Sequence, residues 1–413
     1  MAVNPWLTSD DLVAAVQRKI SFPLSQITFT EDDILAFANE EMEISQVPSV
    51  LQFHEEFYVT RYVTPLVVNQ VYYPIPDRAI GMRLRDVFYM DDQGNQFDMT
   101  RINADDQAYF QANTGNNNGV FRFYLEGNSI VLSPTPQVAV TGSILMTYFI
   151  RPNQLVPNSN ASYVSGFQQT VTVDNATLTP FDTIQIGSIT YTAVVSGAVS
   201  PQFNIGVTSI LTANNLVAAI NSNTDAVASN GSGTTAVITL NFPTRQMIIN
   251  PVTFNVGLGL EVPLTFSVVF TAITPNITNG SIIDFLQTKP GHMIRGFSIT
   301  IPSMGINNNV ITFAQKSDVP DKLIIGDYIC NENNAIIPFI PPELHSGLAE
   351  RTCARILAAL GDQAGLQASN QKLQEISNAQ NALLDNRVDG APQKVLARHS
   401  LLRYGRFGIW RKV

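Results

Sequence analysis

The chain has 413 residues, 45% of them hydrophobic and only 14% charged, with a formal net charge of −9. That length allows two or three domains and a sizeable core. The acidic balance disfavours wrapping nucleic acid directly, because phosphates attract Lys and Arg. Cys330 and Cys353, the only cysteines, lack metal-binding or redox spacing and read as reduced core thiols.

At the N-terminus, residues 1–6 have no basic region followed by an apolar one, so no signal peptide is expected. No run approaches the ~20 apolar residues of a membrane span. Thr8-Ser9-Asp10-Asp11 predicts a helix start, since a hydroxyl caps free N–H groups and aspartates favour the positive end of the helix dipole. Leu12, Val13, Val16 and Ile20 supply its apolar face, and Pro23 ends it. Thr30-Glu31-Asp32-Asp33 repeats the device ahead of Ile34, Leu35, Phe37, Ala38 and Met42, and a third short helix is expected from Pro48-Ser49. None is long enough to be stable alone in water, and the C-terminal helices are the expected partner.

From Phe57 the pattern turns to strands. Phe57–Val63, Val67–Tyr73 and Arg83–Met90 are rich in β-branched and aromatic residues, and Asp91–Asn95 reads as a hairpin turn rather than a calcium loop because the distal glutamate is missing. Phe121–Leu125 and Ser129–Leu132 flank Glu126-Gly127-Asn128, a second hairpin, and Ser143–Ile150 is expected to complete a meander. Composition then shifts to Asn, Ser and Pro, so one boundary is placed near residue 160. Strands are expected at 168–173, 183–186, 188–195, 235–240, 247–249 and 264–271, with an amphipathic helix over Leu211–Asn221. Ile186–Thr192 and Leu216–Asn221 are similar to small β-plus-helix modules of tailed-phage and flagellar structural proteins. After a second Asn/Thr-rich join, strands at Ile294–Ile301 and Val310–Phe313 lead to the C-terminal helices.

The C-terminal stretch organises the rest. Pro342 precedes Leu344, Leu348, Ala349, Ile356, Leu357 and Leu360 at helical spacing, and Gly361 supplies a residue that takes positive φ past the helix end. Leu366, Leu373, Ile376, Ala379 and Leu383 give a second, narrower stripe. Residues 387–413 then carry seven cations and one acid, among them Arg398, Arg403, Arg406 and Arg411, with Tyr404, Phe407 and Trp410 at every third position. Gly405 and Gly408 speak against a helix, and an extended chain of three residues per turn would align the aromatics. Tyr, Trp and Arg dominate interface hot spots, so this segment reads as an arm docking on another protein chain. Wrapping its own subunit and stacking nucleic-acid bases remain the alternatives.

No catalytic constellation is found. His54, His292, His345 and His399 lack metal-ligand spacing, and no nucleophile elbow or phosphate loop occurs. Glu40-Glu41-Met42-Glu43 reads as the solvated side of a helix. No enzyme activity and no cofactor are expected.

The expected fold is α+β: a helical body from N- and C-terminal helices with a β-meander (1–160 and 279–386), an inserted β-rich module (161–278) and an extended arm (387–413). Pro74–Asp86, Leu125–Asn128, Ile150–Val156, Gly326–Cys330, Ile340–His345, Ala358–Asp362 and Asn386–Val395 resemble a family of tailed-bacteriophage virion proteins of the head-to-tail connector type. That resemblance implies a ring-forming adaptor below the portal, a closed ring of about twelve copies. Its partners would be further copies of itself, the portal protein and the next tail or neck protein. DNA would pass through the lumen without specific binding, and no membrane would be involved. The arm residues named above would dock on a partner, and Leu344, Leu348, Leu366, Leu373, Ile376 and Leu383 would pack subunits. The rival reading is a tail-side receptor- or carbohydrate-binding protein using the β module. On either reading the protein would reside in the virion after synthesis in a bacterial host cytoplasm.

Overall fold

The computed structural model describes residues 7–20, 29–106, 121–136, 141–223, 226–245, 249–252, 260–261, 263–289 and 292–383. The chain divides into two compact units, one of residues 1–47 and 151–374, the other of residues 48–150 and 375–413.

The first unit opens with helices α1 (Ser9–Ile20) and α2 (Glu31–Glu41). Both starts are capped as the sequence predicts. Thr8 Oγ1 accepts from Asp11 N–H, and the Asp11 carboxylate accepts from Thr8 N–H; Thr30 and Asp33 do the same. Leu12, Val13, Val16 and Ile20 of α1 and Ile34, Leu35 and Ala38 of α2 are buried. One π-helical turn, Met42–Gln46, follows α2, with Val47 N–H bonded to Met42 O. Helix α3 (Val47–Phe53) begins there, one residue ahead of the expected Pro48. Pro48 offers no N–H and crowds the carbonyl four residues back, so widening the preceding turn relieves the clash.

The same unit holds the largest sheet. Its strands run in the order 297–300, 282–286, 328–331, 162–173, 266–270, 310–313, 306–307, with 237–242 also paired to 162–173. Strand Ser162–Val173 is its hub: Tyr163 pairs with Tyr328, Phe167 with both Phe242 and Val268, and Val171 with Ile238. Strands expected in the module and strands expected in the returning body thus share one sheet. Thr183–Ile186 forms as expected and sits in a four-stranded sheet with 189–194, 202–204 and 249–252. Helix α4 (Ser209–Asn223) buries Thr212, Ala213, Leu216 and Ile220. Phe167, Ile184, Tyr191, Phe203, Leu216, Phe266, Phe285 and Phe313 belong to one continuous core.

Helix α5 (His345–Leu360) packs against α1 and α2, joining N- and C-terminal helices as the sequence predicts. Gly361 ends it at φ 75°, the left-handed cap expected of a glycine there. Helix α6 (Gln363–Leu383) follows.

In the second unit the order of strands is 59–65, 143–150, 79–90, 96–98, and a separate sheet holds 72–74, 129–133, 122–126 and 100–101. The expected meander is therefore not what forms. Strand Ser143–Ile150 inserts between 59–65 and 79–90, and Ile144 to Ile150 are all buried. A strand buried on both faces belongs in the middle of a sheet, not at the end of a meander. The strand expected over Val67–Tyr73 shortens to Tyr72–Pro74, because Asn69 turns the chain at φ 63°, a conformation Asn tolerates. The turn at Asp91 is a hairpin turn as predicted, its carboxylate accepting from Gln93 and Asn95 N–H.

Candidate functional site

The arm residues Arg398, Arg403, Tyr404, Arg406, Phe407, Trp410 and Arg411 lie outside the described residues. The helix residues separate into two groups. Leu344 and Leu348 are buried in the first unit, with Leu348 on the helix that α1 and α2 cover. Leu366, Leu373 and Ile376 on α6 are only half-buried. The side chain of Leu383 lies outside the described residues.

Helix α5 is the element on which this part of the molecule converges. His345 at its start is buried; Nδ1 accepts from Leu7 N–H at 3.1 Å, which leaves Nε2–H to donate to Ile340 O at 3.3 Å. The ring is thus the neutral Nε2–H tautomer, and burial pushes its pKa down to about 4. One turn on, the buried Glu350 pairs with Lys19 of α1 and accepts from Ser369 Oγ of α6 at 2.8 Å. At the next turns Arg355 reaches α2, pairing with Glu40 and, at 2.6 Å, with Glu41. Glu40 and Glu41 are therefore not simply a solvated helix face, as expected from sequence; they clamp α2 to α5. A planar guanidinium spans two adjacent carboxylates where an ammonium would meet one at a time.

Two carboxylates elsewhere in this unit have the burial that catalytic groups often show, and both are engaged in holding loops. Asp327 is fully buried and accepts from Ile324 N–H, Thr288 N–H and His292 Nε2 at 2.9, 3.2 and 2.9 Å. Burial raises its pKa against those stabilising contacts. Asp284 accepts from Asn153 Nδ2, Asn333 N–H and Ser298 Oγ, tying three separate chain segments to its strand. No second carboxylate is among these contacts, and the Ser298 hydroxyl donates its proton to Asp284 within the sheet. Cys330 and Cys353 are free and buried; burial pushes the Cys353 thiol up to about 11 and that of Cys330 higher still, so neither is a ready thiolate. Among the described residues no group of three or more His, Cys, Asp or Glu side chains is placed to hold a metal ion. No described helix is long and apolar enough to cross a membrane.

Sequence reasoning did not single out Glu350, Arg355 or His345 as an interlocking column. The available signal was their spacing, five residues apart on one helix. The partners, in segments more than 300 residues earlier, are invisible in a local pattern.

What this geometry provides is a clamp between helices of the chain and a broad antiparallel scaffold. Residues 7–183 match the family model of the SU10 adaptor protein, a phage head-to-tail connector family, in agreement with the resemblance read from the sequence. The matched region covers α1, α2, the second unit's sheets and strand Ser162–Val173 of the largest sheet. No curated protein matches the chain.

Proposed function

We propose that the protein assembles as a closed ring joining the portal of a phage head to the next tail or neck protein, with the genome passing through its lumen. The observation that carries this reading is the adaptor-family match over residues 7–183, which includes the two helices clamped by α5. Two features of the chain support it. The chain is acidic overall, which suits a channel that DNA crosses without sticking, while its cations concentrate in residues 387–413. That basic, aromatic arm anchors the ring on the portal, with Trp410 and Arg406 as its principal contacts, and the half-buried Leu366, Leu373 and Ile376 of α6 face a neighbouring subunit. Assembly takes place in the host cytoplasm and the ring resides in the neck of the virion.

The test is co-sedimentation of purified chain with isolated portal, beside the variants Trp410→Ala and Arg406→Ala. Both variants are expected to lose portal attachment while still forming rings seen by electron microscopy. Attachment unchanged in both variants would overturn the arm's role, and a chain that never closes into rings would overturn the adaptor ring.

A further inference from the structure

The turn Thr179-Pro180-Phe181-Asp182 places a phenylalanine where the backbone asks for glycine. Phe181 has φ 75°, and Asp182 N–H bonds back to Thr179 O at 3.1 Å. Proline at the second position and positive φ at the third is the type II pattern, which selects Gly or Asn at the third. A bulky side chain there is a true outlier, sustained only when its surroundings over-determine the backbone. They do so here. The buried Asp182 carboxylate accepts from Thr179 N–H at 2.8 Å, Phe181 N–H donates to Ala193 O at 2.8 Å, and Ala193 N–H donates to Asp182 O at 2.9 Å. Yet the ring this strained turn presents is not used inside the chain: Phe181 is 65% exposed.

Its neighbourhood has the same character. Val195 follows the strand Ile189–Val194, whose Ala193 holds Phe181, and Val194 O accepts from Ile205 N–H at 2.8 Å. At Gly206 a Cβ would sit 2.7 Å from Leu211 Cβ, so this backbone lies directly on the Leu211 side chain. Val195, Val207 and Leu211 are all exposed, Val207 at 91%. These backbone links put the exposed Phe181, Val195, Val207 and Leu211 on adjoining segments of the first unit, an apolar tip. It carries no ionic rim from its own chain segment, since no charged residue occurs between Asp182 and Asp225.

We infer that this tip, with Phe181 as its anchor, is a contact surface between copies of this chain. The inference rests on the ring reading above and adds where the copies meet. Charge argues for a second copy as the occupant. Copies of a chain of net charge −9 repel one another across most of their surface, and a neutral patch is where they approach at least electrostatic cost. A basic or acidic partner, by contrast, would find nothing here to pair with. An aromatic held rigidly in advance contributes large contact area with little ordering entropy left to lose, the usual make-up of an interface hot spot.

Sedimentation velocity over a concentration series tests this on the full chain, with Phe181→Gly and Phe181→Glu as variants. Glycine relieves the positive φ, so Phe181→Gly is expected to melt no lower than wild type while self-associating about tenfold or more weakly. Phe181→Glu places an unpaired charge in an apolar contact and weakens it further. Wild type and both variants assembling alike would overturn this contact and leave the ring standing. A lower melting temperature for Phe181→Gly, with assembly intact, would show that the ring serves its own fold and would overturn the contact too. Wild type remaining monomeric at every concentration would overturn the ring reading and this contact with it.

Discussion

Acidification should loosen the joint between the N-terminal segment and helix α5 through one residue, His345. Its Nδ1 accepts the Leu7 amide and its Nε2–H donates to Ile340 O, so a second proton would replace an acceptor with a donor facing an N–H. Burial lowers the pKa from 6.5 to about 4. Because the folded-state value lies below the unfolded one, the unfolded chain binds the proton first as pH falls. Stability is therefore unaffected above about pH 6.5, declines between 6.5 and 4, and reaches its full loss below about 4. At about 1.4 kcal/mol per pH unit of displacement, the complete loss is roughly 3 kcal/mol. Asp327 acts in the opposite sense, since burial raises its pKa and its protonation favours the folded chain, so a raw pH–stability curve mixes the two. Comparing wild type with His345→Asn isolates the histidine: the amide keeps an acceptor near Nδ1 but does not titrate. The variant is expected to be the less stable protein at pH 7, where it lacks the bond to Ile340, and to lose that disadvantage progressively toward pH 4. Direct titration of the His345 ring by NMR should give a value near 4. A ring that titrates near 6.5, or a stability difference between the two proteins that stays constant from pH 7 to 4, would refute the reasoning.

Two further expectations test the helical clamp. Leu348 is fully buried on α5, so Leu348→Ala should cost about 2–5 kcal/mol through lost burial and the cavity left behind, measured as a fall in the denaturation midpoint. Gly361→Ala meets no neighbouring atom but must hold φ 75°, so it should cost about 1 kcal/mol; an unchanged midpoint would mean the cap relaxes to another conformation.

Much of the helical scaffold was legible in local chemistry. The Thr8–Asp11 and Thr30–Asp33 caps, the apolar faces of α1 and α2, and the glycine stop at Gly361 are each set by residues within one turn of one another. The strands at 183–186, 143–150 and 310–313 were equally readable, since β-branched and aromatic runs bounded by turn residues depend on near neighbours alone. Their arrangement was not. Ser143–Ile150 looks like the last strand of a meander until its burial on both faces places it between two others. The strand at 162–173 looks like the opening of an isolated module until Tyr163 is seen to pair with Tyr328.

The amino-acid order by itself determined the capped helices, the strand segments, the acidic body with its cationic end, and the likeness to phage connectors. Only the tertiary structure decided that Glu40 and Glu41 clamp Arg355, that His345 is a neutral buried acceptor, and that Phe181 is held outward at positive φ. The physical reason is range. Caps and periodicity act over one or two turns of chain, whereas burial, ion pairing and enforced strain depend on atoms brought together from segments that can lie hundreds of residues apart.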